Sequence, residues 1–380
     1  MSAHVWPLVR YFLALGAVGF GGPIALVGYM QRDLVERRRW VSEREYAEGL
    51  AFSQLAPGPL AAQLAMYLGW ARGGIRGATL SGIAFVLPSF LMVLILSALY
   101  VRYEGLPWIQ GAFYGIGAAV IAIIGRSAVK LIRLCLKRDP LLWSIFVVNA
   151  GVVAVMQAEM LTVFLASGVV ALVVRRVAWG SGRATLGLAL PLPFALFGWS
   201  APAGGSPVLW QLLGFFTKAG AVVFGSGLAV IPFLYGGAVR EFGWLTERQF
   251  LDAVAVSMIT PGPVVITVAF VGYLVAGVPG AIVAAVGVFL PVYLVVVIAA
   301  PFFSRFANNA RVAAFVSGVT AAATGAIAGA AFLLGQRAIT DVTTAAIALT
   351  TIALLLYLRK VPEPVLIAAA GCAGIVLTVA

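Results

Sequence analysis

Histidine, cysteine and charge are all scarce in this chain. The 380 residues include one histidine, His4, beside the N-terminus. With no histidine further in, a zinc centre, haem ligation and imidazole catalysis are not expected, and neither is any other metal or cofactor. The two cysteines, Cys135 and Cys372, lie far apart in or beside apolar runs. Their spacing gives neither a disulfide framework nor a metal-ligand pattern, so both read as packing residues. Nor do the apolar segments carry an Asp-Asp pair or a Ser/Lys or Ser/His arrangement, which argues against an intramembrane enzyme. Charged residues make up 10% of the chain against 62% hydrophobic, and the mean hydropathy is +1.06. A soluble domain does not tolerate that balance.

What the chain has in abundance is long apolar runs. Residues 77–101, 141–158, 279–304 and 312–336 carry no charge, and each is about long enough to cross a ~30 Å hydrocarbon core as a helix. After Arg10 comes a long Gly-rich segment rather than the short apolar core and small-residue site of a cleavable leader. The net charge is +12. In a membrane protein this reads as arginine-rich loops that orient the chain, so nucleic acid is not an expected partner. A basic balance also favours anions over cations as cargo.

The chain repeats itself. Residue n set against n+204 pairs Phe20-Gly21 with Phe224-Gly225, "WVSEREYAE" (40–48) with "WLTERQFLD" (244–252), and "PGP" at 57–59 with "PGP" at 261–263. At an offset of 203, Gly69, Gly77 and Pro88 then fall on Gly272, Gly280 and Pro291. This is a tandem duplication of roughly 180 residues. Residues 1–178 form an N-terminal repeat, 179–208 a linking segment and 209–380 a C-terminal repeat.

Each half reads as two apolar segments broken by glycine and proline, followed by four uninterrupted ones. They span about 8–30, 46–70, 77–101, 108–130, 141–158 and 160–174 in the first half. In the second they span about 209–238, 250–275, 279–304, 312–336, 342–358 and 364–380. Between the halves lies "ATLGLALPLPFALFGW", residues 184–199. If it crosses once, the second half is inverted relative to the first, as in many secondary transporters; if it lies on the surface, the repeats are parallel. Suppose that the N-terminus is cytoplasmic and that the broken segments dip in and return. The cytoplasmic loops then hold 20 of the 25 basic residues, whereas fully crossing segments leave 17 inside. The positive-inside rule prefers the re-entrant arrangement. The expected fold is all-α: a polytopic membrane helical bundle of two inverted-topology repeats, each with two broken, re-entrant or hairpin segments plus four spanning helices, joined by one linking helix.

Non-helical backbone at membrane depth survives only where protein buries it or it lines a wet cavity, so the breaks point inward. Proline suits the first turn of a helix, which places Pro23, Pro57, Pro59, Pro261 and Pro263 to begin new half-helices. Such a start offers free amides and the positive end of the helix dipole to an anion. The two "PGP" motifs, with Gly58 and Gly262 at their centres, thus aim the amides of Leu60 and Ala61, and of Val264 and Val265, at a negatively charged cargo near the midplane. The breaks at Gly21-Gly22 and at Gly225-Ser226-Gly227 add donors without bulky side chains. Ser53, Gln54, Gln63, Ser257, Thr260 and Thr267 are the other polar side chains in these segments. A lone Gly-Pro in a membrane helix is usually a kink or a packing point; recurrence at equivalent positions favours a cavity.

Ahead of each "PGP" segment, Ser42 with Glu45 and Thr246 with Gln249 fit a capping box, and Trp40 and Trp244 suit interfacial anchoring. The pairs Glu43-Arg44 and Glu247-Arg248 read either as structural bridges or as a gate. Glu48 and Asp252 are matched carboxylates one turn into a membrane segment, which makes them candidate proton carriers. Lys218 is a cation at membrane depth that either attracts cargo or snorkels to the interface.

These residues resemble the chromate ion transporter family in its long, two-domain form. The stretches "FGGPIALVGYMQRDLVERRRWVSEREYAEGLAFSQLAPGP" and "FGSGLAVIPFLYGGAVREFGWLTERQFLDAVAVSMITPGP" both carry its FGG-like and PGP signatures. The second departs from the pattern at Ser226, where the first has Gly22. The resemblance implies a multi-pass carrier of the bacterial or archaeal inner membrane that exports chromate from the cytoplasm and so gives chromate resistance. Sulfate, with the same charge and shape, is the implied competitor. The bilayer and a second copy of the chain, in a homodimer, are the other candidate partners. Uniport, anion exchange and proton antiport through Glu48 and Asp252 stay open. A carrier for sulfate or another oxyanion, or an anion channel of the same architecture, is the alternative reading.

Overall fold

The computed structural model describes residues 5–103, 105–156, 161–178, 207–222, 227–303, 309–357 and 361–379, with no strand among them. The first half runs through α1 (Val5–Val18), α2 (Gly22–Met30), α3 (Glu43–Leu55), α4 (Leu60–Tyr103), α5 (Pro107–Cys135), α6 (Pro140–Met156) and α7 (Leu161–Ala178). The second runs through α8 (Pro207–Val222), α9 (Val230–Tyr235), α10 (Glu247–Ile259), α11 (Thr267–Ala299), α12 (Ala310–Ala338), α13 (Val342–Tyr357) and α14 (Glu363–Val379). Helices over Leu60–Tyr103, Pro107–Cys135, Val264–Phe302 and Ala310–Ala338 are long and apolar enough to cross a bilayer. The chain is an all-α polytopic membrane bundle. The proposed linking helix, residues 184–199, lies outside the described residues.

Both broken segments expected in the first half are helix, break, helix: α1 to α2 across residues 19–21, and α3 to α4 across 56–59. The helix from Leu60 then folds back on itself. Its backbone leaves helical geometry at Gly73 (φ −145°) and Gly74 (φ 57°), and α11 does so at Ala276 (φ −145°) and Gly277 (φ 61°). In a straight helix Gly69 and Gly77 would stand about 12 Å apart along the axis. Instead they touch so closely that a methyl group on Gly77 would strike the Gly69 carbonyl, and one on Gly280 the Gly272 carbonyl. Each is a hairpin zipped by small residues, the device that lets helices approach in lipid.

The halves interlock. The arms of α4 and α11 pack on each other at the centre, with α1 against α4 and α8 against α11. Around them α5 packs on α13 and α14, while α12 packs on α6 and α7. Each half therefore lends its last two helices to the other half's long helix. Glycine sets these seams as well: Gly115 meets Ala370 and Gly374, and at the equivalent place Gly318 meets Ser167 and Ala171.

The caps differ between halves. Thr246 and Gln249 form the full capping box, Thr246 N donating to Gln249 Oε1 at 3.0 Å and Gln249 N to Thr246 Oγ1 at 3.2 Å. Ser42 Oγ accepts from Glu45 N at 3.2 Å, but the Glu45 carboxylate does not return to the cap. Arg72, at the end of the first α4 arm, takes it with Nε at 3.0 Å and Nη2 at 2.8 Å, and also donates to the Trp40 carbonyl. The expected first box is thus half formed, because a forked guanidinium outcompetes one exposed backbone amide.

Candidate functional site

The breaks of the two halves meet at the centre. Gly58 and Gly262, the middle residues of the two "PGP" turns, have φ 139° and 96°, conformations that side chains strongly disfavour. The Gly262 amide donates to the Gly19 carbonyl in the break between α1 and α2, at 2.8 Å. Ser89 Oγ donates to Gly16 O at 3.2 Å and fills the space where a Gly262 side chain would begin. At the equivalent contact Val292 stands over Gly58. At the second turn the backbone amide that lipid would leave unsatisfied is closed by the opposite half, and each turn is roofed by the other half's long helix.

Beneath this junction lies a cavity of about 580 Å³. The starts of all four returning helical pieces reach it, through Gly21, Gly22 and Pro23, through Leu60, through Leu228, and through Gly262 and Val264. The opposite wall comes from helices with no breaks. It holds Arg126, Ser127 and Lys130 of α5, with Lys137 just beyond it, Ser317, Thr320 and Thr324 of α12, and Glu363 at the start of α14. Arg126 and Lys130 are one turn apart and share a face. Glu363 Oε1 stands 4.0 Å from Arg126 Nη1. Three cations against one carboxylate, together with helix starts that each carry about half a positive charge, give the cavity a positive field. A guanidinium fork, an ammonium, hydroxyls and free amides match the donors that a tetrahedral oxyanion needs. Among the described residues no cluster of His, Cys, Asp and Glu stands ready to hold a metal.

The family model described as "Chromate transporter" matches the chain twice, over residues 6–172 and 210–375. The chain belongs to the chromate transporter family. The chromate transport protein of Cupriavidus metallidurans is 55% identical over 99% of this chain and 95% of its own length. The probable chromate transport protein of Synechococcus elongatus is 54% identical over 98% of this chain and 97% of its own. The chromate transport protein of Pseudomonas aeruginosa is 34% identical over 97% and 91%. No solved structure matches.

The transporter's cavity takes in some of the residues that the sequence singled out. Gly21, Gly22, Pro23, Gln54, Leu60, Ser257, Thr260, Gly262 and Val264 line it. Others shape the breaks from behind. Gln63, fully buried, donates Nε2 to the Pro57 carbonyl at 2.6 Å and so clamps the first turn. Ser53 Oγ is spent on Gly49 O at 2.8 Å, and Thr267 Oγ1 on Val264 O at 2.7 Å. Pro57, Gly58, Pro59, Pro261, Pro263 and Gly227 form the turns without facing the cavity. Gly225 and Ser226 lie outside the described residues. Arg126, Lys130, Glu363 and the threonine pair of α12 were missed as site residues. The i, i+4 spacing of Arg126 and Lys130, on a helix whose preceding turns carry no charge, was the available signal.

None of the candidate coupling residues reaches this cavity. Glu48 is exposed and paired with Arg44 at 3.0 Å. Glu43 and Lys218 are exposed too, and for Lys218 that favours snorkelling over cargo attraction. Asp252, matched to Glu48 in sequence, is only 5% exposed and accepts from Tyr100 OH at 2.8 Å. It lines a second cavity of about 300 Å³ with Tyr100, Gln110, Phe113, Thr246 and Arg248. Both cavities lie along α5 and α10. On α10 the step from Asp252 to Ser257 is about 7.5 Å, and residues 253–256 between them are buried. Phe270 and Phe113 close on Tyr100, with ring centroids 5.2 and 5.4 Å away. At the same end of α10, Glu247 accepts from Arg240 at 3.1 Å, Tyr235 OH at 3.0 Å and Arg337 at 2.9 Å, tying the end of α12 to the start of α10. The buried residues 253–256 of α10 thus separate the two cavities, and the polar latches stand on the far side of that layer, at the end of α10 where the second cavity lies.

Proposed function

We propose that this protein exports chromate across the inner membrane, and so confers chromate resistance, by binding the dianion in the large cavity between the half-helix starts and the Arg126–Lys130 wall. The observation that carries this reading is the convergence of four helix starts and three cations on one hollow. The halves act as inverted repeats. In support, Thr79, near the start of the second α4 arm, bonds Tyr293, well along the second α11 arm, at 2.9 Å, as antiparallel arms require. The reciprocal contacts of Gly58 with Val292 and Gly262 with Ser89 fit a pseudo-twofold axis perpendicular to those arms. Arg126, Lys130, Lys137 and Glu363 belong to loops and helix ends that the arginine distribution assigns to the cytoplasm. The large cavity is then the inward-open site, and the seal at Asp252–Tyr100 and Glu247–Arg337 is the closed outer gate. That seal favours a carrier over a channel.

The test is radiolabelled chromate uptake into everted vesicles, with sulfate, molybdate and phosphate as competitors. Arg126→Gln combined with Lys130→Gln should lower uptake by at least tenfold, each lost charged contact removing about 1.5–3 kcal/mol of binding. Uptake at the wild-type rate in the double variant, at matched protein levels, would refute the assignment.

A further inference from the structure

The cavity that attracts anions also contains one. Glu363 projects into it from the first residue of α14, with its side chain 29% exposed, and approaches Arg126 to 4.0 Å. Arg126 and Lys130 of α5 are the charged groups whose fields reach it. Lys137 and Cys135 line the same hollow further along the chain. From α10 come Ser257 and Thr260, and from α12 Ser317, Thr320 and Thr324, none of which titrates near neutral pH. Arg359 and Lys360, which precede it in sequence, lie outside the described residues.

We propose that Glu363 is the resident counter-anion of the empty site, and that it takes up a proton when chromate binds. This rests on the cargo site proposed above. A carboxylate and a dianion cannot both hold Arg126 and Lys130 at close range in a half-buried cavity without repulsion, so a proton enters the site with the anion. Chromate is itself a base in the neutral range, and the proton that relieves the repulsion lies in the hydrogen bond between the Glu363 carboxyl and an oxyanion oxygen. Protonation turns Glu363 from a competitor into a hydrogen-bond donor for an oxyanion oxygen. By reciprocity, if the bound dianion raises the proton affinity of Glu363, a proton on Glu363 raises the affinity for the dianion by the same factor. The coupling is therefore positive. The proton travels with the anion rather than against it, and each cycle moves one negative charge fewer than the dianion carries.

The experiment measures chromate binding to purified protein in nanodiscs between about pH 5 and about pH 8, for the wild type, Glu363→Gln and Arg126→Gln. Chromate itself takes up a proton in this range, so sulfate, a dianion throughout it, is measured in parallel, and the informative quantity is the ratio of wild-type to Glu363→Gln affinity for sulfate at each pH. The wild type should be weaker than Glu363→Gln by about tenfold at the alkaline end, a usual size for coupling between sites, and the two should converge as pH falls. A ratio that stays constant with pH, or a monodisperse Glu363→Gln protein that binds no chromate, would overturn the proposal while leaving the cargo site intact. Undiminished binding by Arg126→Gln, or no binding by the wild type at any pH, would instead overturn the cargo site itself, and the proposal with it.

Discussion

Replacing Gly262 by alanine tests whether the two halves are closed on each other at the "PGP" turns. Gly262 has φ 96°, and its amide donates to Gly19 O at 2.8 Å. A side chain in left-handed backbone costs about 1–2 kcal/mol. The new methyl group would also land on Ser89 Oγ, with the Ser89 Cβ 3.0 Å away, and such overpacking costs about 1–3 kcal/mol. Gly262→Ala should thus destabilise the protein by about 2–5 kcal/mol. Ser89→Gly empties the space while leaving φ unchanged, so the double variant should regain the overpacking part. Reversible unfolding in mixed micelles reads each arm, and a double-mutant cycle should give a favourable coupling of about 1–3 kcal/mol. Gly58→Ala is the internal control. Its methyl group would meet the far end of Gln63 at 2.7 Å and Val292 Cγ1 at 2.9 Å, so its overpacking cost is the smaller of the two. Additive effects of Gly262→Ala and Ser89→Gly, or a Gly262→Ala protein as stable as the wild type, would refute the account of the junction.

Other outcomes follow from the seal, the ion pairs and the termini. Tyr100→Phe removes a hydrogen bond to the buried Asp252 carboxylate, which should weaken the outer latch by about 1.5–3 kcal/mol; a cysteine at Thr246 or Gln110 should then label faster from the external side. Arg337→Gln should speed the same labelling by cutting the tie between α12 and Glu247, whereas Arg44→Gln, whose partner Glu48 is exposed, should leave it unchanged. Asp341, ahead of α13, is held below the usual carboxylate range by the hydroxyl of Tyr114 and then by the Thr344 amide. A depressed carboxylate adds stability above its unfolded value and loses it as pH falls through the folded one. The difference in melting temperature between wild type and Asp341→Asn should therefore be present at neutral pH and vanish on acidification.

Much of the architecture was legible along the chain because lipid imposes a simple code. Uncharged runs of sufficient length must be helices, and glycine with proline at membrane depth must be a protected break. The positions of the breaks before Gly22, Leu60 and Val264 followed from this, as did the duplication. Chemistry carried by side chains was harder to read. Glu48 and Asp252 occupy matched positions, yet one faces outward to Arg44 and the other is buried against Tyr100 from the far end of α4. Nothing in the repeat pattern distinguishes them, since burial depends on which helix covers each.

Sequence by itself determined that this is a duplicated, broken-helix membrane protein with its interruptions turned inward, because the cost of bare backbone in hydrocarbon leaves no other use for them. Only the tertiary structure decided which charges share that interior. Arg126, Lys130 and Glu363 sit on segments separated by more than half the chain, and they meet because each half packs its last helices on the other half's long one. Contact across such distances is a property of packing, and no local pattern records it.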